Sequence, residues 1–181
     1  MCKEILRKQL ISLRKDSYVE QNLSFTKFES ILKQFNSKKN LNIGGYYPIN
    51  SEIECLEILE KLEEKKYKIS LPIIKNKNNM DFYEWSFREP LKVSRIGIPE
   101  PRAKKKVFPD ILIIPIVGFD KKKFRLGYGG GFYDRYINKI HNIKKIFTIG
   151  FAFAFQEVKT IPINQFDQKL DLILTNDGII K

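Results

Sequence analysis

Histidine occurs once in this chain, at His141, which leaves no multi-histidine metal site and argues against a Ser-His-Asp relay. The two cysteines, Cys2 and Cys55, lie far apart and match neither a zinc spacing nor a disulfide framework, so a reducing, cytoplasmic setting is expected. No apolar run reaches the length of a membrane span. The N-terminal "MCKEILRKQLISLRK" interrupts its apolar residues with charges where a signal peptide carries an unbroken core. Neither a targeting segment nor a membrane partner is expected. Internal repeats and compositional breaks are also missing, so residues 1–181 are expected to form one domain, large enough to bury a core without disulfides or a structural metal.

Acidic residues are outnumbered, 21 against 33 Lys and Arg, which leaves a net charge of +12. Such a balance raises nucleic acid as a partner, because clustered cations release counterions from phosphates. Arginine, the residue suited to bidentate phosphate contacts, is scarce: 7 Arg stand beside 26 Lys, 26 Ile and 12 Asn. That profile reads as a compositional bias with a solvated basic surface, and no specific nucleic-acid partner is expected.

The hydrophobic pattern divides the chain into alternating elements. Residues 3–15 read as an amphipathic helix with Ile5, Leu6, Leu10 and Leu13 on one side; Lys3 and Arg7, four apart, share a face. A second helix follows Ser24 or Thr26 and runs to about Phe35, with "SKKN" as a loop. "LNIGGYYPI" (41–49) has strand composition, and "SEIECLEILEKLEEKKY" then carries Ser51 and Glu54 at capping-box spacing, ahead of a helix. "KISLPII" and "MDFYEWSF" read as strands separated by the polar turn "KNKNN". Prolines at 90, 99, 101 and 109 deny regular structure to most of 88–109, which is expected to be an extended connector or flap. "DILIIPIVGFD" is a buried strand whose pairing is expected to end or bulge at Pro115, and "KKIFTIGFAFA" and "LDLILTN" complete the set. Continuous apolar strands separated by helices predict an α/β fold: a mainly parallel sheet with helices on both faces, in a three-layer, Rossmann-like arrangement.

"RLGYGGGFYDRYI" (125–137) is the most informative stretch. Gly127, Gly129, Gly130 and Gly131 would each cost about 0.5 to 1 kcal/mol inside a helix or strand, so the segment is a loop. Phe132, Tyr133, Tyr136, Ile137 and Ile140 then fall at helical spacing. A glycine loop opening a helix beyond the end of a strand offers bare N–H groups and the positive end of the helix dipole to an anion such as phosphate. The alternative is a mobile surface turn. The dinucleotide fingerprint and the Walker pattern are both absent. Asp134, in the first helical turn, has two readings: a ligand for Mg²⁺ beside bound phosphate, or compensation of the dipole.

The run "PDILIIPIVGFDKKKFRLGYGGGFYDRYI" resembles the most diagnostic stretch of the 5-formyltetrahydrofolate cyclo-ligases, also called methenyltetrahydrofolate synthetases. The resemblance extends through "KEILRKQL", "YYPINSEIE", "GIPEP" and "PINQFDQKLDLILT", nearly the whole chain. It implies an ATP- and Mg²⁺-dependent ring closure of a reduced folate. By resemblance, Arg125 and Asp134 carry the chemistry. Lys3, Arg7, Arg125, Gly127, Gly129, Gly130, Gly131, Phe132 and Tyr133 hold ATP; Tyr47, Glu52, Tyr128 and Phe132 hold the folate; Asp134 and Asp167 hold Mg²⁺. Asp171, four residues on, competes with Asp167 for the second metal position, and Tyr128 stacks on a ring or faces solvent. A monomeric enzyme is expected, and a basic rim, with lysines at 104–106 and 121–123 as candidates, would attract the glutamate tails of folates. A kinase acting on another small molecule would keep the loop and aspartates but not the folate contacts. Trp85, Tyr83 and Glu100 are further candidates for the ligand's border, with core packing the alternative for the two aromatics.

Overall fold

The computed structural model describes residues 2–17, 23–35, 40–77 and 79–181. Two turns expected from the sequence, 37–40 and 75–79, fall partly outside these residues.

The chain opens with α1 (Lys3–Asp16) and α2 (Phe25–Leu32), then β1 (Asn42–Gly44), α3 (Leu56–Glu64) and a hairpin of β2 (Lys68–Ile74) and β3 (Met80–Trp85). Three two-residue strands follow or flank the next sheet element: β4 (Lys92–Val93), β5 (Pro99–Glu100) and β6 (Lys106–Val107). Then come β7 (Ile111–Pro115), β8 (Gly118–Phe119), β9 (Arg125–Leu126), α4 (Phe132–His141), β10 (Phe147–Ala152), β11 (Leu172–Thr175) and β12 (Ile179–Ile180).

Eight strands form one sheet in the order β12-β11-β10-β7-β1-β2-β3-β6. The middle pairings are parallel, and the sheet turns antiparallel at both margins, through β2–β3–β6 and β11–β12. The sheet is therefore mixed and mostly parallel. Alternation along β7 shows how both faces are covered. Ile111 and Ile113 pack with Phe28 of α2 and Leu59 and Leu62 of α3, whereas Leu112 and Ile114 pack with Tyr136, Ile137 and Ile140 of α4. All four strand residues are fully buried, and truncating any one to alanine would cost about 2 to 5 kcal/mol. The β7 pairing ends at Pro115, opposite Phe151.

Several local expectations are corrected. On α1, Leu6 and Leu10 are buried, but Ile5 and Leu13 are exposed. This helix packs on the narrow β8–β9 ribbon and its flanks, against Val117, Leu126 and Ile161, and its buried stripe is a single line of residues four apart: Leu6, Leu10, Arg14. Ser24, not Thr26, caps α2, accepting from Lys27 N. The Ser51–Glu54 capping box does not form. Residues 49–52 instead make a tight turn with Asn50 and Ser51 at positive φ, so α3 starts at Leu56, whose N–H is met by Glu54. The 88–109 segment is less irregular than its prolines suggest, because β4 and β5 form a small hairpin and β6 pairs with β3. Trp85 and Tyr83 are core residues; the Trp85 indole donates to Glu89 O.

Candidate active site

From β1 the chain crosses to β2 on one side, and from β7 to β10 on the other. The carboxyl ends of β1 and β7 therefore mark the point where the strand order reverses, and open α/β sheets leave a crevice there. A cavity of about 870 Å³ lies at this position, lined by the loop after β1, the glycine loop, the start of α1, the β4–β5 hairpin and residues 164–168. Every residue expected to bind ATP, folate or Mg²⁺ lines it: Lys3, Arg7, Tyr47, Glu52, Arg125, Gly127 to Asp134, and Asp167.

The glycine loop departs from the expected strand-loop-helix order in one respect. The β8–β9 ribbon is inserted between β7 and the loop, so Arg125 leaves a short hairpin, not a central strand. Gly129 has φ +100 and Gly131, the N-cap of α4, has φ +65, both conformations that side chains with a Cβ disfavour. A Cβ on Gly129 would sit 3.3 Å from the Arg7 guanidinium carbon. The bare backbone thus lets Arg7 approach, and Arg7 Nε donates to Gly127 O at 2.7 Å. The first turn of α4 has no earlier helical carbonyls to accept from its N–H groups, which open on the cavity wall.

The two candidate metal carboxylates are each tied to a cation. Arg125, 7% exposed, donates from Nη2 to Asp134 Oδ1 at 2.7 Å and from Nη1 to Gln168 O at 2.8 Å. Gln168 N donates back to Asp134 Oδ1 at 3.0 Å, closing a ring of three groups. Burial lowers the Arg125 pKa, and the facing Asp134 charge opposes that shift. Asp167 Oδ2 accepts from Lys3 Nζ at 2.5 Å and from Asn164 N at 2.6 Å. Asp171 is instead held by Thr148, through its N–H and hydroxyl, and does not line the cavity, whereas Asp167 does. No cluster of three or more His, Cys, Asp or Glu suited to a metal occurs among the described residues. Two carboxylates still suit Mg²⁺, which keeps waters and takes its remaining ligands from phosphate oxygens.

The other half of the cavity is largely uncharged. Glu52 is 6% exposed, and Ile49 N donates to its Oε2 at 2.9 Å. Burial is the main cause that pushes its carboxyl up to about 7, with the Ile49 N–H and the Arg14 charge pulling the other way. Tyr46, Cys55 and Tyr133 crowd the same region, each raised by burial. Across the opening stand Ile96 and Ile98 of the β4–β5 hairpin, with Glu100, which also lines the cavity and pairs with Lys92 at 3.1 Å. His141 lies at the end of α4, away from the lining.

Sequence reasoning missed two contributors. One is the 164–168 segment as a wall, where Phe166 is 70% exposed beside Asp167; nothing in its polar composition distinguishes it from a solvent loop. The other is Arg14, 1% exposed, whose Nη2 donates to Asn50 O at 2.9 Å and to the Tyr128 hydroxyl. Its place four residues beyond Leu10 was the available signal. Tyr128 is 40% exposed and lines the cavity, with its hydroxyl anchored behind the wall.

Comparison with known proteins follows the same lines. The sequence model of the 5-formyltetrahydrofolate cyclo-ligase family matches residues 2–176. A 5-formyltetrahydrofolate cyclo-ligase of Haemophilus influenzae is 33% identical over 150 residues, covering 79% of this chain and 80% of its own. One from Mycoplasma pneumoniae is 28% identical over 183 residues, covering 98% and 100%. Among solved structures, a 5,10-methenyltetrahydrofolate synthetase of Aquifex aeolicus superposes with a TM-score of 0.80 at 27% identity, over 100% of this chain and 93% of that one.

Proposed function

Because the chain belongs to the 5-formyltetrahydrofolate cyclo-ligase family, we propose that its cavity converts 5-formyltetrahydrofolate to 5,10-methenyltetrahydrofolate, driven by ATP with release of ADP and phosphate. The observation that carries the reading is the division of one cavity into two chemically different halves. Cations and unpaired helical N–H groups line one, and a buried carboxyl among aromatic rings lines the other.

The chemistry explains why both halves are needed. A formamide carbon is a poor electrophile, and its oxygen is a poor leaving group. Phosphorylating that oxygen makes the carbon attackable by the neighbouring folate nitrogen and lets the oxygen depart as phosphate. Phosphoryl transfer depends mainly on positioning and on neutralising charge. Lys3, Arg7 and Arg125 supply positive charge, and the loop from Gly127 to Tyr133 supplies backbone donors that need no reorganisation. Asp134 and Asp167 would hold Mg²⁺, which when bound offsets phosphate charge. Glu52 would accept hydrogen bonds from the donor-rich edge of the pterin, with Tyr47 and Tyr128 flanking the ring.

A basic rim for glutamate tails would draw mainly on lysines outside the runs at 104–106 and 121–123. Lys75, Lys106 and Lys139 converge on the single carboxylate of Asp81 at 3.4, 2.9 and 3.0 Å, beside the cavity residues Ile74, Met80 and Asn138. Of the two runs, only Lys106 takes part.

The test is the appearance of methenyl-folate absorbance when the protein is given 5-formyltetrahydrofolate, ATP and Mg²⁺. Absence of that product, with ATP consumed on another acceptor, would favour a small-molecule kinase.

A further inference from the structure

Arg14 heads the fully buried side chains by size among the described residues, yet it lies on a stripe shared with Leu6 and Leu10. Removing a guanidinium from water is costly unless its donors are well used. Here the donors are used on the cavity wall. Nη2 serves Asn50 O at 2.9 Å and the Tyr128 hydroxyl, Nη1 reaches Ile116 O at 3.4 Å, and the guanidinium carbon lies 5.6 Å from the Tyr128 ring centre. Nε has no partner among the described residues, and no carboxylate forms an ion pair with this group among them.

Those contacts tie the 49–52 turn to the glycine loop, alongside the direct hydrogen bonds of Tyr128 with Asn50 and Glu52. The turn at 49–52 holds Asn50 and Ser51 at φ +49 and +59, a conformation that is strained for non-glycine residues and persists only where the surroundings impose it. The Arg14 bond to Asn50 O and the two bonds between Ile49 and Glu52 impose it. The Tyr128 hydroxyl is fixed by the same Nη2.

We propose that Arg14 is a positioning residue for the folate half of the cavity: from behind the wall it fixes the Tyr128 ring and the 49–52 turn, and thereby the place at which the Glu52 carboxyl meets substrate. The proposal rests on the folate reading of the site. Its positive charge also faces Glu52, alongside Tyr128 from the glycine loop, Tyr133 from α4, and Tyr46, Glu54 and Cys55 from the segment between β1 and α3. Arg14 lowers and burial raises the Glu52 ionisation, so loss of the charge moves it further up.

The experiment measures steady-state kinetics of the full-length enzyme and its Arg14→Lys, Arg14→Gln and Tyr128→Phe variants, with both substrates varied and pH scanned. Arg14→Lys keeps the charge and loses the fork; the KM for 5-formyltetrahydrofolate rises about tenfold while that for ATP stays within about twofold, the factor expected for one lost charge-assisted bond. Its pH midpoint for folate KM stays at the wild-type position. Arg14→Gln raises folate KM as well and shifts that midpoint upward from about 7. Tyr128→Phe removes only a hydroxyl on a half-exposed ring, and carries the test alone if Arg14→Gln does not fold; it raises folate KM and not ATP KM. Unchanged folate KM in Arg14→Lys and Tyr128→Phe, or a parallel rise in both KM values with a lowered melting temperature, overturns the proposal. Failure of the wild-type enzyme to act on 5-formyltetrahydrofolate overturns the folate reading instead.

Discussion

Replacing Glu52 by glutamine should make the protein more stable and the enzyme worse. The carboxyl ionises at about 7 in the folded chain against 4.5 when exposed, and burial is the main cause. Between those values the folded chain binds more proton than the unfolded chain. Stability is therefore full below 4.5 and falls as pH rises through 7. At 1.36 kcal/mol per pH unit, the ionised carboxylate costs the fold about 3 kcal/mol at pH 8. Glutamine has the same length and a carbonyl that can still accept from Ile49 N, but it does not titrate. Urea unfolding of both proteins at pH 4.5 and pH 8 isolates the effect, because all other titrations cancel in the difference. The variant should gain about 3 kcal/mol on wild type between the two conditions, or roughly 6 to 12 °C in melting temperature for a chain of this size. Its folate KM should meanwhile rise, since an amide cannot match a carboxylate facing several donors. Parallel stability curves for the two proteins would refute the buried-carboxyl argument, and unchanged folate KM would remove Glu52 from the pterin site.

Three further outcomes are expected. Asp134→Asn and Asp167→Asn should each raise the Mg²⁺ concentration needed for half-maximal activity while leaving folate KM within about twofold, and a titration of activity against Mg²⁺ that superposes on wild type removes the metal assignment. Gly129→Ala forces a Cβ into φ +100 and against the Arg7 guanidinium at 3.3 Å; it should cost about 1 to 2 kcal/mol of stability and raise ATP KM, measured by thermal melting and initial rates. If Lys75, Lys106 and Lys139 guide glutamate tails, polyglutamyl substrate should be preferred at low salt and the preference should fade toward physiological ionic strength; equal affinity at low salt argues against it.

The parts legible in the sequence are those whose local signal has no rival. Four glycines in five positions fit only a loop, and the aromatic and isoleucine spacing after them fits only a helix, so 127–141 could be read directly. The buried strands β7, β10 and β11 announce themselves as continuous apolar runs. Elements of two residues carry no periodicity, and so the β8–β9 ribbon, the β4–β5 hairpin and the edge strands β6 and β12 were invisible. Ser51 shows a different failure: its capping-box spacing is genuine, but tertiary contacts of Asn50 and Glu52 hold the turn in a left-handed conformation that a helix start cannot adopt. Arg14 was not singled out because the sequence does not say which side of α1 faces the narrow ribbon.

Two of the cations in the nucleotide half are each matched by a carboxylate. Lys3 is matched by Asp167, far along the chain, and Arg125 by Asp134, across the glycine loop. Partly exposed pairs of this kind add at most about 1 kcal/mol to stability, so their consequence is placement more than strength. They hold the start of α1, the β9 end, the first turn of α4 and residues 164–168 around a common space. Arg7 differs: its Nε is engaged by a neutral carbonyl, Gly127 O, and among the described residues no carboxylate pairs with it. Arg135, which also lines the cavity, reaches Gly130 O and Lys77 O, so the charge that Arg7 brings to the glycine loop is held by a carbonyl and not by a carboxylate. An incoming phosphate meets a framework assembled in advance and, in Arg7, a cation held by a carbonyl beside the first turn of α4, which is how a site can attract an anion without itself flying apart when empty.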